Sequence, residues 1–122
     1  LVNTIYYGFD ENNFYLRIDT KKDAAYYLRN GYTLDLFIKR DSVLSRFPVR
    51  VSGDEEKNYE TAVGDIIEIA IPLSPQNLKP GDEFYYQLEW KYLNQSFQLI
   101  PANHYFHLTV PTPKDYAGCW LV

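Results

Sequence analysis

The chain has 122 residues, the size of one ordinary domain, and a net charge of −4. An acidic balance with no run of Lys and Arg excludes a nucleic-acid binder, which needs a basic footprint against phosphates. No window approaches the about 20 apolar residues of a membrane span. The 46% hydrophobic and 23% charged content is ordinary, but 12 Tyr, 7 Phe and 2 Trp bring the aromatic share to 17%. Tyr has a flat apolar body and a polar tip, so this surplus points to half-buried sheet surfaces, a binding face, or both.

In chain order, TIYYGF at 4–9 reads as a strand, and Asp10-Glu11-Asn12-Asn13 as an Asx-type turn. Positions 14–19 alternate strictly, with Phe14, Leu16 and Ile18 on one side and Tyr15, Arg17 and Asp19 on the other. Lys21 to Asn30 makes either one or two helical turns stopped by Gly31 or a structured loop. YTLDLFIKR at 32–40 alternates again, Leu34, Leu36 and Ile38 against Asp35, Phe37 and Lys39. RFPVRV at 46–51 carries Pro48, which confines it to a sheet edge or a bend. A polar loop tip with Asp54, Glu55 and Glu56 follows, then a short strand at 58–63.

In GDIIEIAIPLS at 64–74, Ile67, Ile69 and Ile71 form an inward row with Glu68 outward, and Pro72 ends the ladder. Pro80-Gly81 is a turn. EFYYQLEWKYL at 83–93 sets Phe84, Tyr86, Leu88, Trp90 and Tyr92 on one face and Tyr85, Gln87, Glu89 and Lys91 on the other. The second row carries charges that cannot be buried without partners, so Trp90 belongs to the core. Strands at 96–101 and 104–110 follow, and the tail is expected to lay Trp120 and Val122 against the body. About eight short antiparallel strands with at most one short helix predict an all-β, jelly-roll-like β-sandwich, a single domain over 1–122. Because the sequence opens at Leu1 directly in strand-like residues, we expect it to be part of a longer chain.

Three segments carry a likeness to a known group. YYGFDENNFYLRID resembles the opening strand pair of the sandwich domains related to the glucodextranase C-terminal domain and to family 9 carbohydrate-binding modules. GDIIEIAIPLSPQNLKPGDEFYYQLEW is similar to their second signature, in which a strand ending in Pro leads through a Pro-Gly loop into a long aromatic strand. PKDYAGCWLV resembles the closing segment of such domains at the C-terminus of glycoside hydrolase family 57 proteins. The resemblance implies a non-catalytic accessory module of an α-glucan-active enzyme, with an oligo- or polysaccharide and a neighbouring catalytic domain of the same chain as its partners.

The residues themselves leave several chemistries to weigh. Hydrolysis needs two positioned carboxylates, or a nucleophile with a base, and no motif here supplies either. His104 and His107 are three apart, which on one strand puts them on opposite faces and prevents shared metal binding unless the strand bends. A haem-binding relative of this sandwich class uses Met and His as axial ligands, and this chain has no Met. The oxygens of Asp10, Glu11, Asn12 and Asn13 suit a structural Ca²⁺, but their spacing lacks the pattern of a calcium loop, so no cofactor is expected. The single Cys119 forms no internal disulfide and leaves the compartment undecided.

Sugars present C–H faces that stack on aromatic rings and hydroxyls that need planar hydrogen-bonding groups. The candidate carbohydrate-binding residues are therefore the outward rows Tyr15, Arg17, Asp19 and Tyr85, Gln87, Glu89, with Tyr26 and Tyr27 as a second aromatic platform. Three readings of these rows stay open: sugar binding, packing on a neighbouring domain, and a solvated sheet face stabilised by cross-strand pairs. If the segment around Tyr26 and Tyr27 is helical, one of the two must instead pack down as a lid over the core.

Overall fold

The computed structural model describes residues 1–50, 58–112 and 120–121. Its strands are β1 (Val2–Phe9), β2 (Asn13–Thr20), β3 (Tyr32–Arg40), β4 (Val43–Val49), β5 (Glu60–Val63), β6 (Ile66–Pro72), β7 (Glu83–Tyr92), β8 (Gln95–Ile100), β9 (Phe106–Thr109) and the short β10 (Trp120–Leu121). One sheet runs β10-β1-β2-β6-β5 and the other β4-β3-β7-β8, with β9 also paired to β7. Every pairing is antiparallel. The two sheets pack into the expected all-β sandwich.

Alternation decides which side of each strand is buried. Phe14, Leu16 and Ile18 on β2 align with Ile71, Ile69 and Ile67 on β6. In the opposite sheet Leu34, Leu36 and Ile38 on β3 face Trp90, Leu88 and Tyr86 on β7. All of these are buried. The layers meet through rings: Phe14 and Phe84 lie edge to face at 5.1 Å, and Phe9 and Phe84 at 6.1 Å. Trp90 is fully buried, as its phase with Phe84, Tyr86 and Leu88 requires.

The helical alternative holds for the segment after β2. Helix α1 (Ala24–Arg29) is capped by Asp23, whose carboxylate accepts from the Ala25 amide at 3.0 Å. Its first turn is tied to the β5–β6 turn by the Ala24 amide donating to the Asp65 carbonyl and the Ala25 amide to the Gly64 carbonyl. Gly31 follows with φ of 90°, a left-handed exit that favours glycine.

Two expectations shift. The strand placed at 46–51 begins at Val43, directly after a tight turn at Asp41, and Pro48 sits on the outermost strand of its sheet. The two histidines do not share a strand: His107 is on β9, whereas His104 lies in the bend before it. At the C-terminal end β10 pairs with Tyr7 and Gly8 of β1. Val122, Cys119 and the Asp54-Glu55-Glu56 tip lie outside the described residues. Among the described residues, no helix is long and apolar enough to cross a membrane.

Candidate functional site on the outer face of the first sheet

The outward row of β2 lies near the middle of its sheet, and the registers decide what stands beside it. Tyr15 is flanked by Gly8 on β1 and Ala70 on β6, and Ala70 pairs in turn with Glu60 on β5. One step along, Arg17 is flanked by Tyr6 and Glu68, and Glu68 pairs with Ala62. Small residues at 8, 62 and 70 therefore alternate with large polar and aromatic ones. The result is a trough of about 520 Å³ lined by Tyr6, Tyr15, Arg17, Glu60, Glu68 and the two alanines. That volume lies within the range of ligand pockets.

The walls are held by hydrogen bonds made within the protein. The Tyr15 hydroxyl donates to Asp10 Oδ2 at 2.6 Å and accepts from Asn13 Nδ2 at 3.1 Å. Asp10 Oδ1 accepts from the Asn12 and Asn13 amides at 2.8 and 2.7 Å, which is the Asx turn expected there. Burial alone would raise the Asp10 carboxyl, but the Tyr15 hydroxyl and these amides outweigh it and hold the group below the usual carboxylate range. The same bond to Asp10, reinforced by desolvation, pushes the Tyr15 phenol up and keeps it protonated. Arg17 is fixed by a fork onto Asp19, Nε to Oδ1 at 2.8 Å and Nη2 to Oδ2 at 3.2 Å. Its guanidinium also lies over the Tyr6 ring, 5.1 Å from the centroid. The Tyr-Arg-Asp row is thus a set of pre-positioned side chains, which lowers the ordering cost of taking a ligand.

The structure does not bring the predicted site residues into one place. Tyr15, Arg17 and Asp19 face out from the first sheet, whereas Tyr85, Gln87 and Glu89 face out from the second, on the opposite side of the sandwich. Groups of the second sheet and its flanking loop occupy that second row. Tyr85 stacks on His107 at 4.8 Å, and His107 Nε2 lies 2.7 Å from Glu83. Gln87 Nε2 donates to the Pro101 and His104 carbonyls at 3.0 and 3.3 Å, which ties the 101–105 segment to this face. Glu89 sits 3.9 Å from Lys91. Asp35, also on this outward side, is buried and paired with Arg46 at 3.0 Å.

Tyr26 and Tyr27 do not make a joint platform. Tyr27 packs down as a lid, 6.1 Å from Trp90 and 5.3 Å from Tyr32, and Tyr26 alone is exposed. A helical turn sends neighbouring side chains in different directions, so only one of the pair reaches the core.

Tyr6, Glu60, Ala62, Glu68 and Ala70 belong to the trough but were not among the candidates. A period-two signal for Tyr6 is present, since it alternates with Ile5 and Tyr7. Among the described residues, no group of three His, Cys, Asp or Glu side chains is arranged to hold a metal. No family model, curated protein or solved structure matches the chain.

Proposed function

We propose that this chain is a non-catalytic carbohydrate-binding or accessory module of an α-glucan-active glycoside hydrolase, with the trough on β1, β2, β6 and β5 as its sugar site. The observation that carries the reading is the make-up of the trough. Two aromatic rings, Tyr6 and Tyr15, stand beside a forked guanidinium and two carboxylates over a floor of small side chains. Rings take the C–H faces of a sugar, and the planar polar groups take its hydroxyls. The resemblance of the three segments to accessory modules of α-glucan enzymes points the same way.

Affinity electrophoresis through gels containing soluble starch or glycogen tests this. The chain is expected to be retarded, and Tyr6→Ala and Tyr15→Ala to lose most of the retardation. Tyr85→Ala, on the other face, should keep it. Unchanged mobility of the unaltered chain on every glucan tried would reject the reading.

A second reading has its own observation. Tyr92, Leu93 and Phe97 at the β7–β8 turn are 42%, 66% and 54% exposed. Tyr32 joins them, its ring 4.7 Å from Tyr92 and 5.6 Å from Phe97. An apolar cap of this kind suits docking on a neighbouring catalytic domain. Hydrogen exchange compared between this chain and a longer parent chain would reveal it as added protection around Leu93 and Phe97.

A further inference from the structure

We infer that the trough selects neutral and amino sugars against acidic ones, an inference that rests on the saccharide reading above. Its ground is the balance of charge and of donors along the trough. Glu60 and Glu68 line it, and among the described residues neither is in an ion pair. The guanidinium beside them, Arg17, is already engaged by Asp19 through two hydrogen bonds. Asp10 stands behind the Tyr15 wall, accepting its hydroxyl at 2.6 Å. Two carboxylates of the trough lining, Glu60 and Glu68, and two beside it, Asp19 on Arg17 and Asp10 on Tyr15, thus stand against one guanidinium.

Two of those carboxylates, Glu60 and Glu68, offer acceptor oxygens that no ion pair among the described residues engages. An ionised carboxylate only accepts hydrogen bonds, so the ligand must bring donors. The hydroxyls of a neutral sugar do so. An ammonium does so and adds a favourable charge. A uronate, sulfate or phosphate brings acceptors and a charge of the wrong sign. Two like charges about 5 Å apart in water weaken binding by about fourfold, so two such neighbours are worth roughly sixteenfold before salt screening.

The test uses one polymer backbone in three charge states: amylose, amylose oxidised at C6 to the carboxylate, and amylose aminated at C6. Each is titrated into the chain at low ionic strength and at about 1 M salt, where the screening length falls to about 3 Å. The expected order at low salt is aminated at least as tight as neutral, with the oxidised polymer weaker than neutral by about fivefold or more. That gap should close at high salt. In the double variant Glu60→Gln, Glu68→Gln the ratio of neutral to oxidised binding should fall towards one at low salt.

Equal or tighter binding of the oxidised polymer would overturn the inference while leaving the saccharide reading in place. An unchanged ratio in the double variant would overturn it too, since the selection would then come from elsewhere. Binding of the aminated polymer alone would mean attraction of charge without recognition of a sugar, which also overturns it. If none of the three polymers binds, the saccharide reading itself fails and the inference falls with it.

Discussion

Replacing Trp90 by alanine removes the largest fully buried side chain among the described residues. A buried Trp covers about 150–250 Å², worth about 4–6 kcal/mol at about 25 cal/mol per Å². That is an upper bound, because the unfolded chain already shields part of this surface. Truncations of this type cost about 3–5 kcal/mol. One term works in the other direction: among the described residues the Trp90 Nε1 proton has no acceptor, and removing an unpaired buried donor recovers about 1–3 kcal/mol. The expected cost is therefore near the low end, about 3 kcal/mol, which lowers the melting temperature of a domain this size by about 10–15 °C. Trp90→Phe separates the two terms. It keeps a ring against Tyr27 and Tyr32 and discards the unpaired donor, so it should cost no more than about 1.5 kcal/mol. Thermal and urea unfolding of both variants give the comparison. A Trp90→Ala variant that melts like the parent would refute the inward placement, and a Trp90→Phe variant as damaged as Trp90→Ala would refute the unpaired indole.

Other substitutions probe separate parts of the argument. Arg46→Ala strips the buried Asp35 of its ion-pair partner and should cost about 3 kcal/mol in urea unfolding, the low end for a broken buried pair because Arg46 itself is half exposed. Asp35→Leu, which removes the buried charge instead, should be close to neutral. Asp10 has its carboxyl depressed below 3.8 by the Tyr15 hydroxyl and backbone amides, against the effect of burial, so its contribution is present above 3.8 and lost as pH falls through the lower folded value. Asp10→Asn should accordingly flatten the acid limb of the curve of melting temperature against pH. Gly31 and Gly81 share a φ near +90°, but an added Cβ meets Leu93 and Tyr92 at 3.1 Å at Gly31 and open space at Gly81. Gly81→Ala should cost about 1–2 kcal/mol for the backbone alone, and Gly31→Ala measurably more in the same unfolding assay.

The strands were legible because burying one face imposes a period of two on the sequence. At 14–19, 34–39 and 84–90 the alternation alone sorts inward from outward, and Ile18, Leu36 and Leu88 are fully buried, whereas Tyr92, in phase with Trp90 at the end of β7, is 42% exposed because the strand there runs past the core. The alternation breaks down where a side chain faces outward and is still covered. Asp35 has the phase of a surface residue, yet it is buried beside Arg46, which is contributed by the neighbouring strand β4. No local pattern contains that, because it arises when two separate segments are brought side by side. Tyr26 and Tyr27 are the opposite case. Without a commitment between helix and loop, their phase is undefined, and the burial of Tyr27 follows only once α1 forms.

The candidate site shows the same division more sharply. That Tyr15, Arg17 and Asp19 point outward can be read from six residues. That they border a trough cannot, because the trough is made by their neighbours across the sheet. Tyr15 is flanked by glycine and alanine, and Arg17 by Tyr6 and Glu68, only because β2 lies between β1 and β6, the latter about fifty residues away in the chain. A slip of one residue in the β2–β6 register would set Ile69 or Ile71 beside Tyr15 in place of Ala70 and close the floor with a bulky aliphatic side chain. The register is held by the buried pairs Phe14–Ile71, Leu16–Ile69 and Ile18–Ile67 on the other side of the same two strands. The apolar inner face thus sets the alignment that opens the outer one, and a change in the core that moved β6 along β2 would remove the trough without touching a single residue that lines it.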